Sequence, residues 1–181
     1  VALQAALMRP ERVGSLLLLA STPSFVRRDG WPSAMLPDLL DTFAGELETD
    51  FERTLNRFLA LQVHGSRNAG EVLRQLRAGM LRRGQPEPAA LRAGLGILRD
   101  TDLRAACATI SCPALVLAGE RDTLVPSAAA TATAELFPQG SLQVIAGAGH
   151  APFLAAPGDV AAAIREFLLP VEPDAVVDAN G

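Results

Sequence analysis

Two short apolar runs, Val13-Gly-Ser-Leu-Leu-Leu-Leu-Ala20 and Ala114-Leu-Val-Leu-Ala118, bracket a long stretch whose apolar residues recur at helical spacing. Runs this short and this uniformly apolar fit strands buried on both faces of a parallel sheet, and parallel neighbours cannot be joined by a hairpin. A third strand is expected over Ser141 to Ile145, after a helical segment from Ser127 to Phe137, and a closing amphipathic helix over Pro157 to Leu168. Strand and helix therefore alternate around an all-helical insertion, which restricts the chain to the α/β class.

The insertion has its own pattern. Ser21 to Pro37 is rich in proline and polar residues and is expected to leave the core. From about Leu36 to Arg99 three helical sets follow: Phe51, Leu55, Phe58, Leu59 and Gln62; then Val72, Leu73, Leu76 and Met80; then Leu91, Leu95 and Leu98. Gly65, Gly70 and Gly84-Gln-Pro-Glu-Pro88 punctuate them. At the other end, Val1-Ala-Leu-Gln-Ala-Ala-Leu-Met8 reads as a helix in progress with no capping residue ahead of it, and the expectation is an N-terminal truncation.

Asp122 and His150 are the residues that point to chemistry. Asp122 follows the second apolar run in Glu120-Arg-Asp122-Thr-Leu-Val-Pro126, and His150 follows the third expected strand in Gly147-Ala-Gly-His150-Ala-Pro-Phe153. A neutral imidazole can take the proton of a hydroxyl nucleophile. A carboxylate on its other ring nitrogen fixes the tautomer and stabilises the imidazolium. Acid then base, on loops after successive late strands, is the order of the α/β-hydrolase triad, in which the serine comes first. No G-x-S-x-G elbow occurs in these 181 residues, so the serine is expected ahead of Val1, and the chain as it stands is expected to be inactive. His64 lacks such a setting and reads as a helix-end or surface residue.

Composition narrows the remaining classes. A hydrophobic content of 49% over 181 residues can bury one real core, yet no run approaches the length that crosses a bilayer. Cys107 and Cys112 carry no metal or redox spacing and read as buried or idle thiols. All 16 basic residues are arginine. Seven of them lie within residues 50–83 against three acids, so that segment is +4 in a chain of net charge −4. A basic surface on an acidic protein attracts an anionic partner, whereas an aromatic content of 4% offers no stacking pattern for nucleic acid.

The chain resembles the BioH-type carboxylesterases, which hydrolyse the methyl ester of pimeloyl-acyl-carrier protein in biotin synthesis. The resemblance rests on Arg9-Pro-Glu-Arg-Val13, Arg28-Asp-Gly-Trp-Pro32, Arg53-Thr-Leu-Asn-Arg-Phe-Leu-Ala-Leu-Gln62, Gly94-Leu-Gly-Ile-Leu-Arg-Asp-Thr-Asp-Leu-Arg104, Asp122-Thr-Leu-Val-Pro126 and His150-Ala-Pro-Phe153. It implies the C-terminal part of an α/β-hydrolase fold with a helical cap. The layout would be partial core over residues 1–22, cap over 23–108 and core with the Asp and His loops over 109–169; beyond it, the proline- and acid-containing tail over 170–181 is expected to be disordered. It also implies catalytic roles for Asp122 and His150, and a substrate channel lined by Phe58, Leu59, Ala60, Leu61 and Gln62. Arg53, Arg57 and Arg74 would contact an acyl-carrier protein bearing the methyl-esterified acyl chain. Gly70 departs from an expected cap arginine, for which Arg67 or Arg77 would have to substitute. The implied enzyme is a cytoplasmic monomer needing no metal or organic cofactor and binding neither nucleic acid nor membrane.

Two other readings share Asp122 and His150. A related hydrolase of small esters, lactones or carbon-carbon bonds would not respond to an acidic carrier or to loss of Arg53 and Arg57. A non-catalytic binding module of the same fold would lack serine at the elbow.

Overall fold

The computed structural model describes residues 1–169 apart from Arg83 and Gln85; the tail expected to be disordered lies outside the described residues. Three parallel strands form one sheet in the order β1 (Leu16–Leu19), β2 (Ala114–Gly119), β3 (Gly140–Ile145). Leu16 pairs with Ala114, and Ala114 in turn with Gly140, so β2 is central and hydrogen-bonded along both sides.

Alternation along β2 sorts the core into two layers, because successive side chains of a strand point to opposite faces. Ala114, Val116 and Ala118 pack on one face with Leu16 and Leu18, under Leu3 and Ala6 of α1 (Ala2–Met8) and Ala130 and Ala134 of α7 (Ser127–Glu135). Leu115 and Leu117 face the other way, against Val160 and Ala163 of α9 (Pro157–Leu168). All six residues of β2 are buried, as two covered faces require.

Between β1 and β2 the chain builds α2 (Pro37–Thr49), α3 (Phe51–Val63), α4 (Ala69–Leu81), α5 (Pro88–Asp100) and the short α6 (Arg104–Cys107). Proline opens α2 and α5, where its missing N–H is one that a helix leaves unpaired anyway. The Asp50 side chain caps α3 by accepting from the Arg53 N–H at 3.3 Å. Val63 and Val72 then pack on Ala151, which ties α3 and α4 to the core beside His150.

The linker over residues 21–36 does not simply leave the core, as its composition suggested. Pro23, Ser24, Val26, Trp31 and Ala34 are buried. The Trp31 indole N–H donates to the Ser24 carbonyl at 3.0 Å, and the Arg104 guanidinium lies 5.6 Å from its ring centroid. Arg28 donates to the Arg99 carbonyl, and Arg104 to that of Asp29. These long-range bonds pin the entry of the helical insertion to its exit.

Candidate active site

Because β2 and β3 are adjacent and parallel, with Gly119 opposite Ile145, the loops leaving their C-terminal ends emerge side by side. Asp122 stands on the first loop and His150 on the second. The Asp122 side chain has no exposure to solvent. One oxygen, Oδ1, accepts the backbone N–H groups of Leu124 at 2.8 Å and Val125 at 2.9 Å. An aspartate that bonds its own following backbone in this way makes a tight turn and loses its freedom to rotate. The other oxygen, Oδ2, is thereby aimed at Nδ1 of His150, 2.8 Å away.

The imidazole is held as firmly from behind. The His150 N–H donates to the Gln62 carbonyl at 2.9 Å, one of the last four carbonyls of α3, which have no partner inside the helix. The Gly149 N–H donates to Oγ of Ser66 at 2.7 Å, and the Arg67 N–H to the Gly147 carbonyl at 2.9 Å. Gly147 has φ +68 and donates its own N–H to the Glu120 carboxylate at 2.7 Å. A ring whose Nδ1–H is given to a carboxylate carries its lone pair on Nε2, the nitrogen that can accept a proton. A pair in this geometry can act as a general base and then as a general acid toward a hydroxyl or water brought to Nε2.

An apolar cavity of about 460 Å³ opens among the helices of the insertion, lined by Phe43, Phe58, Leu61, Leu95 and Leu98 among others. It reaches Leu124, whose N–H orients Asp122. Of the five expected channel residues, Phe58 and Leu61 line this cavity. Leu59 is buried and borders a separate cavity of about 230 Å³, Ala60 is exposed, and Gln62 meets the His loop through its backbone.

Arg53, Arg57 and Arg74 are all exposed on α3 and α4. Arg57 pairs with Glu46, and Arg74 holds Glu71 through two guanidinium nitrogens, keeping that carboxyl below its usual range. Among the described residues no carboxylate pairs with Arg53. Arg67 lies over Gly147, and Arg77 borders the smaller cavity. His64 is the exposed residue that ends α3. Among the described residues there is no metal-binding group of three or more His, Cys, Asp or Glu, and no helix long and apolar enough to cross a membrane.

A parallel sheet that presents an aspartate and then a histidine at the ends of consecutive strands, beneath a helical insertion, defines the class. The chain belongs to the alpha/beta hydrolase fold family, whose model matches residues 1–157. It is 46% identical over 172 residues to the pimeloyl-[acyl-carrier protein] methyl ester esterase of Stenotrophomonas maltophilia strain K279a, covering 95% of this chain and 66% of that protein. To the esterase of the same name from Serratia marcescens it is 43% identical over 168 residues, 93% of this chain and 66% of that one. The chain thus spans about two thirds of the length of the curated relatives it matches. Among solved structures, an esterase from Exiguobacterium antarcticum superposes with a TM-score of 0.82 at 23% identity, over 92% of this chain and 61% of that one. A thermophilic esterase from Thermogutta terrifontis does so with 0.74 at 26% identity, over 93% and 60%.

Proposed function

We propose that the intact protein is a carboxylesterase that hydrolyses the methyl ester of pimeloyl-acyl-carrier protein in biotin synthesis. The observation that carries the reading is the 2.8 Å bond from His150 to an aspartate already oriented by two backbone N–H groups. The identity to the Stenotrophomonas and Serratia esterases directs it to this substrate.

In this reading a serine on residues preceding Val1 attacks the ester carbonyl while Nε2 of His150 takes its proton. The tetrahedral intermediate collapses, His150 returns the proton to the departing methoxide, and methanol leaves. Water then attacks the acyl-serine with His150 again as base, freeing the carboxylate and restoring the serine. Asp122 holds the tautomer and offsets the imidazolium charge throughout. The helices of residues 23–108 act as a cap, and the cavity beside Phe58 and Leu61 takes the apolar acyl chain.

Arg53, Arg57 and Arg74 would meet the carrier's acidic surface. Exposed ion pairs are weak and screened by salt, so Glu46 and Glu71 do not commit Arg57 and Arg74 against a partner's phosphate or carboxylates. In this reading the reaction takes place in the cytoplasm.

Two experiments test the reading. The coding sequence upstream of the Val1 codon should contain an in-frame G-x-S-x-G; a stop codon there, or an elbow without serine, would overturn the assignment. The intact protein should hydrolyse the carrier-bound methyl ester with a kcat/KM that falls with added salt, and R53E combined with R57E should lower it while sparing a small free ester. Equal loss on both substrates, or no loss, would remove the carrier from the proposal.

A further inference from the structure

The turn joining α3 to α4 makes a second set of contacts that the acid and base do not account for. Four backbone or side-chain hydrogen bonds cross from residues 62–67 to the loops around the pair: Gln62 and Ser66 accept from His150 and Gly149, the Arg67 N–H donates to Gly147, and Arg121 donates to the Gly65 carbonyl. The fit leaves no slack. A Cβ on Gly149 would lie 2.6 Å from the Gln62 carbonyl oxygen and 2.7 Å from Oγ of Ser66. Of the groups in this clamp that meet the two residues before the imidazole, Ser66 alone acts through a side chain that substitution can remove.

We propose that Ser66 is a positioning residue for His150. Its hydroxyl fixes the Gly149 N–H, and with it the backbone from which the imidazole projects, against the C-terminal end of α3. The Arg121 N–H holds the Ala148 carbonyl at 2.8 Å and the Gln62 carbonyl holds the His150 N–H; Ser66 adds the bond to the Gly149 N–H that lies between them. With Ser66 in place two consecutive N–H groups are held, so the Ala148–Gly149 and Gly149–His150 peptide planes are both set ahead of the imidazole. The imidazole must stay within hydrogen-bond reach of both Asp122 and the attacking hydroxyl, and misplacement on the ångström scale is costly in rate. Ser66 would thus act on turnover without touching substrate.

The inference rests on the hydrolase reading for its catalytic consequence, and its test separates the two. In the intact protein, S66A should lower kcat on a small free ester by about tenfold or more with KM changed less than about twofold, and S66T, which keeps the hydroxyl, should recover most of the loss. Hydrogen exchange over residues 147–150, read by mass spectrometry, should speed up in S66A and return in S66T. Equal losses in both variants, or a kcat unchanged by S66A, would overturn the positioning role. A wild-type protein that hydrolyses no ester would sink the esterase reading instead, and the exchange measurement would then decide the clamp: unchanged exchange in S66A would overturn it.

Discussion

Gly119, the last residue of β2, lies so close against the His loop that a Cβ on it would stand 2.6 Å from the Ala148 carbonyl oxygen and nearer still to that of Gly149. The strand end and the loop bearing the base are in backbone contact, so a side chain at 119 must push the two apart. G119A should destabilise the protein by about 1–3 kcal/mol, the usual range for overpacking, and should lower activity beyond what the stability loss explains. Urea denaturation and steady-state kinetics on the intact protein check this. An unchanged midpoint would show that the loop yields freely.

D122N tests the electrostatic half of the pair. The Asn oxygen can still accept from Leu124 and Val125, so the turn should survive. Its amide nitrogen then faces Nδ1 of His150 and donates to it, which forces the ring proton onto Nε2, the atom that must act as base. The expected outcome is a fall in kcat of about ten-thousandfold with little change in thermal midpoint. A loss of only a few fold would mean that His150 does not depend on this carboxylate.

The two cysteines should differ in reactivity. Burial pushes the Cys107 thiol up to about 11, with Asp102 adding to the effect, whereas Cys112 is partly accessible. A thiol reagent at pH 8 should label Cys112 and spare Cys107 in the folded protein. The sign for stability follows from a folded value above the unfolded 9.0. The folded state holds its proton longer, so this contribution is complete below pH 9 and is lost as pH rises toward 11. C107A should reduce that alkaline loss; rapid labelling of both thiols at pH 8 would contradict the assignment.

Asp102 predicts the opposite dependence. Its carboxylate accepts from Nε and Nη2 of Arg104, with Arg28 at 3.8 Å, and the Arg104 bond holds it below the ordinary 3.8. A depressed carboxyl contributes stability above its unfolded value and loses it as pH falls through the folded one. D102N should therefore be less stable than wild type at pH 7, and the difference should shrink below pH 3.8. A gap independent of pH would show that Asp102 acts by packing rather than by charge.

The order of elements and the candidate pair Asp122 and His150 could be read from the residues alone. The strands expected within Val13–Ala20, Ala114–Ala118 and Ser141–Ile145 formed as Leu16–Leu19, Ala114–Gly119 and Gly140–Ile145, and the periodic sets centred on Phe58, Leu76 and Leu95 became α3, α4 and α5. Both signals are local: a strand buried on both faces, as β2 is, must be apolar throughout, and an amphipathic helix repeats its apolar face within a few residues. Asp122 and His150 were legible for the same reason, each standing just past an expected strand. The tertiary structure decided what depends on contacts between distant segments. Arg104 covers the Trp31 ring and Arg28 reaches the Arg99 carbonyl, contacts that no composition of residues 21–36 encodes. The cavity drew in Phe58 and Leu61 but not Ala60, because the rotation of α3 is set by the helices beside it. The hold of Gln62 and Ser66 on the His loop joins positions more than eighty apart in the chain: Gln62 acts through a backbone carbonyl, which is the same in every sequence, and the Ser66 hydroxyl meets Gly149 only once the chain has folded.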